Sequence, residues 1–211
     1  PCAAMASSRK WARSPSSSAR WTSSTASSKS CVVKPECLTT PRLILRQWTP
    51  QDLPEFAALN ADTQVMRYFP SVLDRQASDA LAAKAEALIA ERGWGFWVAQ
   101  DRATGHLAGM IGLHTPAAEL PFSPCVEVGW RLARPYWGQG LATEGAKAAL
   151  DFAWNELQLD EVVAFTAVPN KPSQAVMQRL GMQPDAQTFM HPDLPAGHAL
   201  AEHGLYRIRR S

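Results

Sequence analysis

The chain has 211 residues, 46% of them hydrophobic, with 21 Lys or Arg against 19 Asp or Glu and a net charge of +2. No apolar run approaches the ~20 residues that cross a bilayer, which argues against a helical membrane span and predicts a soluble, cytoplasmic protein. The four cysteines, Cys2, Cys31, Cys37 and Cys125, have neither Cys-x-x-Cys nor His-rich ligand spacing, so no metal site and no disulfide framework is expected.

The charge is unevenly spread. Residues 1–37 hold six Lys or Arg against the single Glu36, are dense in serine and lack apolar periodicity; residues 38–211 hold 15 basic and 18 acidic side chains. So polar a segment cannot bury enough surface to offset its ordering entropy, and 1–37 is predicted to be a disordered leader. A transit peptide, vector-derived sequence and an upstream extension of the reading frame all fit its composition. A nucleic-acid-binding arm is disfavoured, because aromatic residues do not interleave with the basic ones. Residues 38–211 suit one domain with a full hydrophobic core.

In chain order, Thr49-Pro50-Gln51-Asp52 opens a helix, with Thr49 as N-cap, Pro50 in the first helical position, and Leu53, Phe56, Ala57 and Asn60 following at helical spacing. Arg75 to Arg92 predicts a second helix, rich in Ala, Leu, Glu and Lys and ended by Gly93. Strands dominate from Trp94 to Leu132, with a hairpin turn over Asp101–Gly105 and a Pro-containing link over Pro116–Pro124. A helix follows over Leu141–Leu157. This order predicts a mixed α/β (α+β) fold with a largely antiparallel central sheet flanked by helices. The crossover helix after Gly140 makes one neighbouring strand pair parallel.

Arg134-Pro135-Tyr136-Trp137-Gly138-Gln139-Gly140-Leu141-Ala142-Thr143 places glycines where a strand hands over to a helix. A helix start offers amides without intrahelical partners and about half a positive charge, and glycine lets phosphate oxygens approach the backbone. The segment resembles the acyl-CoA loop of the GNAT N-acetyltransferases, an Arg or Gln followed by x-x-Gly-x-Gly or Ala. Trp137 stands where Arg or Gln is usual. Tyr-Trp-Gly-x-Gly followed by Ala-Thr-Glu is similar to the subgroup that includes the ribosomal-protein N-terminal acetyltransferases. Thr39–Arg46 resembles the family's first strand and Val162–Val168 a later one, Asn170-Lys171-Pro172-Ser173 the opening of the helix that ends in Leu180-Gly181-Met182, and the segment from His191 to Arg207 a loop before one final strand; the resemblance covers about residues 38 to 210.

The resemblance implies a GNAT fold, acetyl-CoA as cosubstrate without a metal, and a primary amine as acceptor, either a protein N-terminus or a small molecule. It places the pyrophosphate on the amides of Trp137, Gly138, Gln139, Gly140, Leu141, Ala142 and Thr143. The thioester carbonyl would face the amides of Trp130, Arg131 and Leu132, on a strand that bulges and splays from its neighbour. Asn170 would hold CoA or an ordered water, and Ser173 would donate to the leaving thiolate; alternatively, Ser173 caps the helix that follows. In Val126–Leu132, alternation sets Glu127, Gly129 and Arg131 on one face. Glu127 is the candidate base, or else pairs with Arg131 or lies on a solvated face. His114 ends a strand on the substrate side, where a lone His is commonly a polar rim residue, and the spacing of His191, His198 and His203 does not resemble a metal site. A homodimer is compatible with the resemblance; a nucleic-acid or membrane partner is not expected. The reading from a different class is a non-catalytic acyl-CoA-binding sensor or scaffold.

Overall fold

The computed structural model describes residues 37–116, 119–195 and 197–210. The expected disordered leader therefore lies outside the described residues, apart from Cys37, which opens the first strand.

The stretch Thr39–Arg46, expected as one strand, instead spans the end of β1 (Cys37–Thr39), a tight turn and β2 (Leu43–Arg46) of a hairpin. Pro41 has no amide for a ladder, and Thr40 closes the turn by exchanging backbone and side-chain hydrogen bonds with Leu43. The helix expected after Thr49 begins as a 3-10 turn at Pro50–Asp52 and continues as α1 (Leu53–Ala61). Helix α2 (Arg75–Arg92) has Asp74 as N-cap, its carboxylate accepting the Ala77 amide, and ends at Gly93 in the left-handed region.

Strands β3 (Phe96–Asp101), β4 (Leu107–His114) and β5 (Glu127–Leu132) form an antiparallel meander. Helix α3 (Leu141–Asn155) crosses over to β6 (Glu161–Ala167), which runs parallel to β5. After α4 (Lys171–Arg179) the chain forms not one strand but a hairpin, β7 (Gln183–Met190) and β8 (Glu202–Arg209). The sheet has the order β1-β2-β3-β4-β5-β6-β8-β7, with β5 and β6 its one parallel pair among the described residues.

The core lies on both faces of the sheet. Leu43, Leu45, Trp97, Ile111, Leu113, Val128 and Val162 are fully or almost fully buried, as are Ala146 and Ala149 of α3. On the opposite face, α1 and α2 pack over β3 and β4. None of the described helices is long and apolar enough to cross a membrane.

Candidate active site

The feature that organises the site is a gap in the sheet. β5 and β6 share a single register pair, Glu127 with Val163, and the Val163 amide donates to Val126 O at 2.9 Å. Beyond that point the two strands have no ladder, so they part like a wedge toward their carboxyl ends.

Backbone alternation decides which amides face the wedge. The Ala133 amide donates to Ala108 O at 2.9 Å, so the amides of Arg131 and Gly129 also turn toward β4. Those of Val128, Trp130 and Leu132 turn toward β6. Of the three amides expected near a thioester carbonyl, Trp130 and Leu132 have this orientation, whereas the Arg131 amide belongs to the ladder with β4. At the open end of β5, the Trp137 indole N–H donates to Leu132 O at 2.7 Å.

The glycine loop follows directly. A 3-10 turn over Arg134–Tyr136 leads to Trp137, then Gly138 (φ +72°) and Gly140 (φ +78°), the residue that caps α3. Both glycines occupy the left-handed region that L side chains disfavour, and a Cβ on Gly138 would meet nothing within 4 Å. The first α3 amide to find a backbone acceptor is that of Glu144, which donates to Gly140 O at 3.0 Å. The amides of residues 138 to 143 thus have no acceptor among the described residues. The buried hydroxyl of Thr143 also lacks a partner. An unfilled row of donors at a helix N-terminus fits a pyrophosphate.

Two residues with no role read from the sequence hold this loop in place. Glu144 accepts from Thr40 Oγ1 (2.7 Å), the Arg42 amide (2.8 Å) and Arg42 Nε (2.7 Å), while Arg42 Nη1 donates to Gln139 O at 2.9 Å. The β1–β2 turn is thereby tied to the first turn of α3. The local signal was an acidic residue in the first turn of a helix, a common feature that does not identify its partner.

At the end of β6, Asn170 and Ser173 come together. Asn170 is the N-cap of α4, with its Oδ1 accepting the Ser173 amide at 3.3 Å and its Nδ2 donating to Thr166 Oγ1 (2.8 Å) and Ser173 Oγ (3.0 Å). The alternative that Ser173 itself caps the helix does not hold. Ser173 lies in the first turn, and its Oγ accepts from Asn170 while its hydroxyl proton remains free to donate elsewhere.

Glu127 sits at the closed point of the wedge and forms no hydrogen bond or ion pair among the described residues. The Arg131 alternative does not hold either, because Arg131 Nη1 donates to Asn60 Oδ1 at 2.6 Å instead. Burial raises the Glu127 carboxyl from its ordinary 4.5 to about 7. His114 is the cross-strand partner of Glu127 and lies on the same face. Burial, with help from Arg92 and Lys84, lowers its pKa to about 4, so it is neutral at physiological pH. The His114 ring stacks on Phe96 at 5.4 Å. Further along this face, His191 and His203 lie 4.9 Å apart among Phe122, Phe165 and Phe189. No group of three metal-ligating side chains occurs among the described residues.

A split parallel pair, a donor-rich loop after one strand and a capped serine after the other define a class of acyl-CoA-dependent acyltransferases. Residues 42–183 match the family model for the acetyltransferase (GNAT) domain, and the chain belongs to that family. It is an acetyltransferase, and acetyl-CoA is the donor that this family uses. Among relatives, the Bacillus subtilis (strain 168) protein YkkB is 31% identical over 148 residues, covering 69% of this chain and 84% of the relative. The N-acetyltransferase YnaD of the same strain is 27% identical over 174 residues, covering 81% and 95%. The crystal structure of an acetyltransferase from Agrobacterium tumefaciens str. C58 aligns with a TM-score of 0.67 at 27% identity, covering 82% of this chain and 94% of that one.

Proposed function

We propose that this acetyltransferase moves the acetyl group from acetyl-CoA to a primary amine by direct attack on the thioester. Glu127 takes the proton that the attacking nitrogen loses, directly or through water. The nitrogen adds to the thioester carbonyl, the C–S bond breaks as the tetrahedral oxyanion collapses, and the Ser173 hydroxyl donates a hydrogen bond to the departing thiolate, which takes its proton from solvent. The amides of Trp130 and Leu132 face the wedge in which the carbonyl oxygen gains charge; a donor so placed contributes about 3 kcal/mol. The amides of residues 138 to 143 hold the pyrophosphate. The acceptor amine belongs to a protein N-terminus or to a small molecule.

One observation carries this reading: an unpaired carboxylate with a pKa near 7 at the point where the two parallel strands separate. A base that titrates there is ionised for much of the time at neutral pH and still holds a proton well enough to relay it.

Calorimetric titration of acetyl-CoA into the full chain tests the donor site, with Gly140→Trp as control. Micromolar binding that disappears in the control is expected; absence of binding to either folded protein overturns the proposal. Thiol release then tests the base. Wild-type kcat/KM should rise with pH through about 7, and Glu127→Gln should flatten that profile and lower the rate by about 10²-fold or more. Acetyl-CoA binding without thiol release against any amine would favour the non-catalytic acyl-CoA-binding module instead.

A further inference from the structure

Arg131 carries a charge that acetyl transfer leaves without a task. Its side chain shares the Glu127 face of β5, with Gly129 between them. Four residues along a strand place the two Cα atoms roughly 13 Å apart.

The guanidinium is fixed from two directions. Nη1 donates to Asn60 Oδ1 at 2.6 Å, and Asn60 Nδ2 donates to Ser78 Oγ at 2.9 Å, so a fully buried Asn–Ser pair on α1 and α2 sets the orientation of the amide. The guanidinium carbon Cζ lies over the Phe69 ring, 4.1 Å from its centroid. What remains is the edge formed by Nε and Nη2. Nε is buried and has no hydrogen-bond partner, and no carboxylate lies within ion-pair distance of Arg131 among the described residues.

A buried cation with an orphaned donor is an unfavourable arrangement unless something completes it. Burial lowers the Arg131 pKa to about 10, which still leaves the group charged at neutral pH. The Nε edge of a guanidinium matches the two oxygens of a carboxylate as a fork with parallel N–H···O bonds.

We infer that the acceptor amine carries a carboxylate, which docks on the Nε edge of Arg131 while Glu127 meets the amine. This inference rests on the acetyl-transfer reading above and adds the chemical class of its acceptor. Such a carboxylate has two sources, a free amino acid or an acidic side chain close to a peptide N-terminus. Arg131 is then a residue that selects the acceptor, and the Asn60–Ser78 pair positions it.

The test measures thiol release by the full chain with the common amino acids, their carboxamides, and short peptides that begin Ser-Asp or Ser-Asn. The expected result is about a hundredfold preference in kcat/KM for a carboxylate-bearing acceptor over its amide. Arg131→Gln should raise KM for that acceptor at least tenfold with a smaller change in kcat, and so abolish the preference. Arg131→Lys should restore part of it, as a point charge without the fork. Preference among the amino acids identifies a small-molecule acceptor, and preference for Ser-Asp over Ser-Asn identifies a peptide. Acetyl-CoA affinity, measured in parallel, separates the two proposals. Failure of the wild type to bind acetyl-CoA removes the acetyl-transfer reading itself. If the wild type binds acetyl-CoA, the Arg131 assignment falls on any of three results. These are equal use of acids and amides, no turnover of any carboxylate-bearing acceptor, or loss of acetyl-CoA affinity in Arg131→Gln.

Discussion

Glu127 is a residue whose chemistry comes from its surroundings alone. Burial raises its pKa, and no neighbouring charge or hydrogen bond pulls it back. The consequence for stability has a definite sign. The folded chain holds this proton up to about pH 7 and the unfolded chain only to about 4.5, so Glu127 costs nothing below 4.5 and destabilises increasingly as pH rises through 7. Glu127→Gln should therefore have a higher melting temperature than the wild type at pH 8 and nearly the same at pH 4. An equal shift at both would mean the gain has nothing to do with ionisation. The sequence placed Glu127 and Arg131 on one face through simple alternation across Val126–Leu132. It could not show that Arg131 bonds to Asn60, 71 positions earlier in the chain, because that partner comes from packing α1 over the sheet.

For the elements, the capping of α4 separates structure from chemistry. Asn170 closes the helix start and also bridges to β6 through Thr166, whereas the Ser173 hydroxyl only accepts in that network. Asn170→Ala should cost about 1 kcal/mol or more of stability, read from a denaturant midpoint, because it removes a cap. Ser173→Ala should cost less than about 0.5 kcal/mol yet slow thiol release. The reverse ranking would make Ser173 structural. Elements bounded by local signals were legible before the structure: Gly93 ends α2, and Gly140 opens α3. Strand β7 was not, and the reason is physical. Gln183–Met190 is exposed along nearly its whole length, carries Pro184 and lacks a buried face, so it has no apolar alternation to read. Its strand identity comes from pairing with β8.

At the scale of the whole molecule, ion pairs bind parts of the sheet to the helices and loops around it. Arg46 of β2 meets Asp52, at the entry to α1, through two hydrogen bonds of 2.8 Å each, and Asp52 also accepts from the Thr49 amide and hydroxyl. Burial alone would raise the Asp52 pKa, but these bonds outweigh it and hold it below its ordinary 3.8. The sign is opposite to that of Glu127. The Asp52 contribution is complete above pH 3.8 and is lost as pH falls through its lower folded value. Asp52→Asn should destabilise by about 3 kcal/mol at pH 7, because it leaves a half-buried guanidinium without its counter-charge, and by much less at pH 2. Thermal melts at the two pH values check this. The mixed sheet and its parallel pair were legible in the order of elements, because a helical crossover between neighbouring strands forces that pairing. The wedge itself was known only from the family resemblance, since the register of β5 against β6 involves backbone contacts that leave no mark on residue type.

Gly112 and Gly129 are cross-strand partners on the Glu127 face, and Phe96 is level with Gly112 on the next strand. A Cβ on Gly129 would lie 2.9 Å from the Phe96 ring, so Gly129 leaves room for that ring beside His114, whereas a Cβ on Gly112 would strike the β3 backbone at Gly95 and Phe96. The floor between Glu127 and Arg131 is therefore bare backbone topped by one replaceable ring. On the proposed function, the room above Gly129 can change through Phe96 while Glu127 and Arg131 keep their places. If the proposal holds, a single substitution at Phe96 can alter which acceptor fits and leave both charged residues untouched.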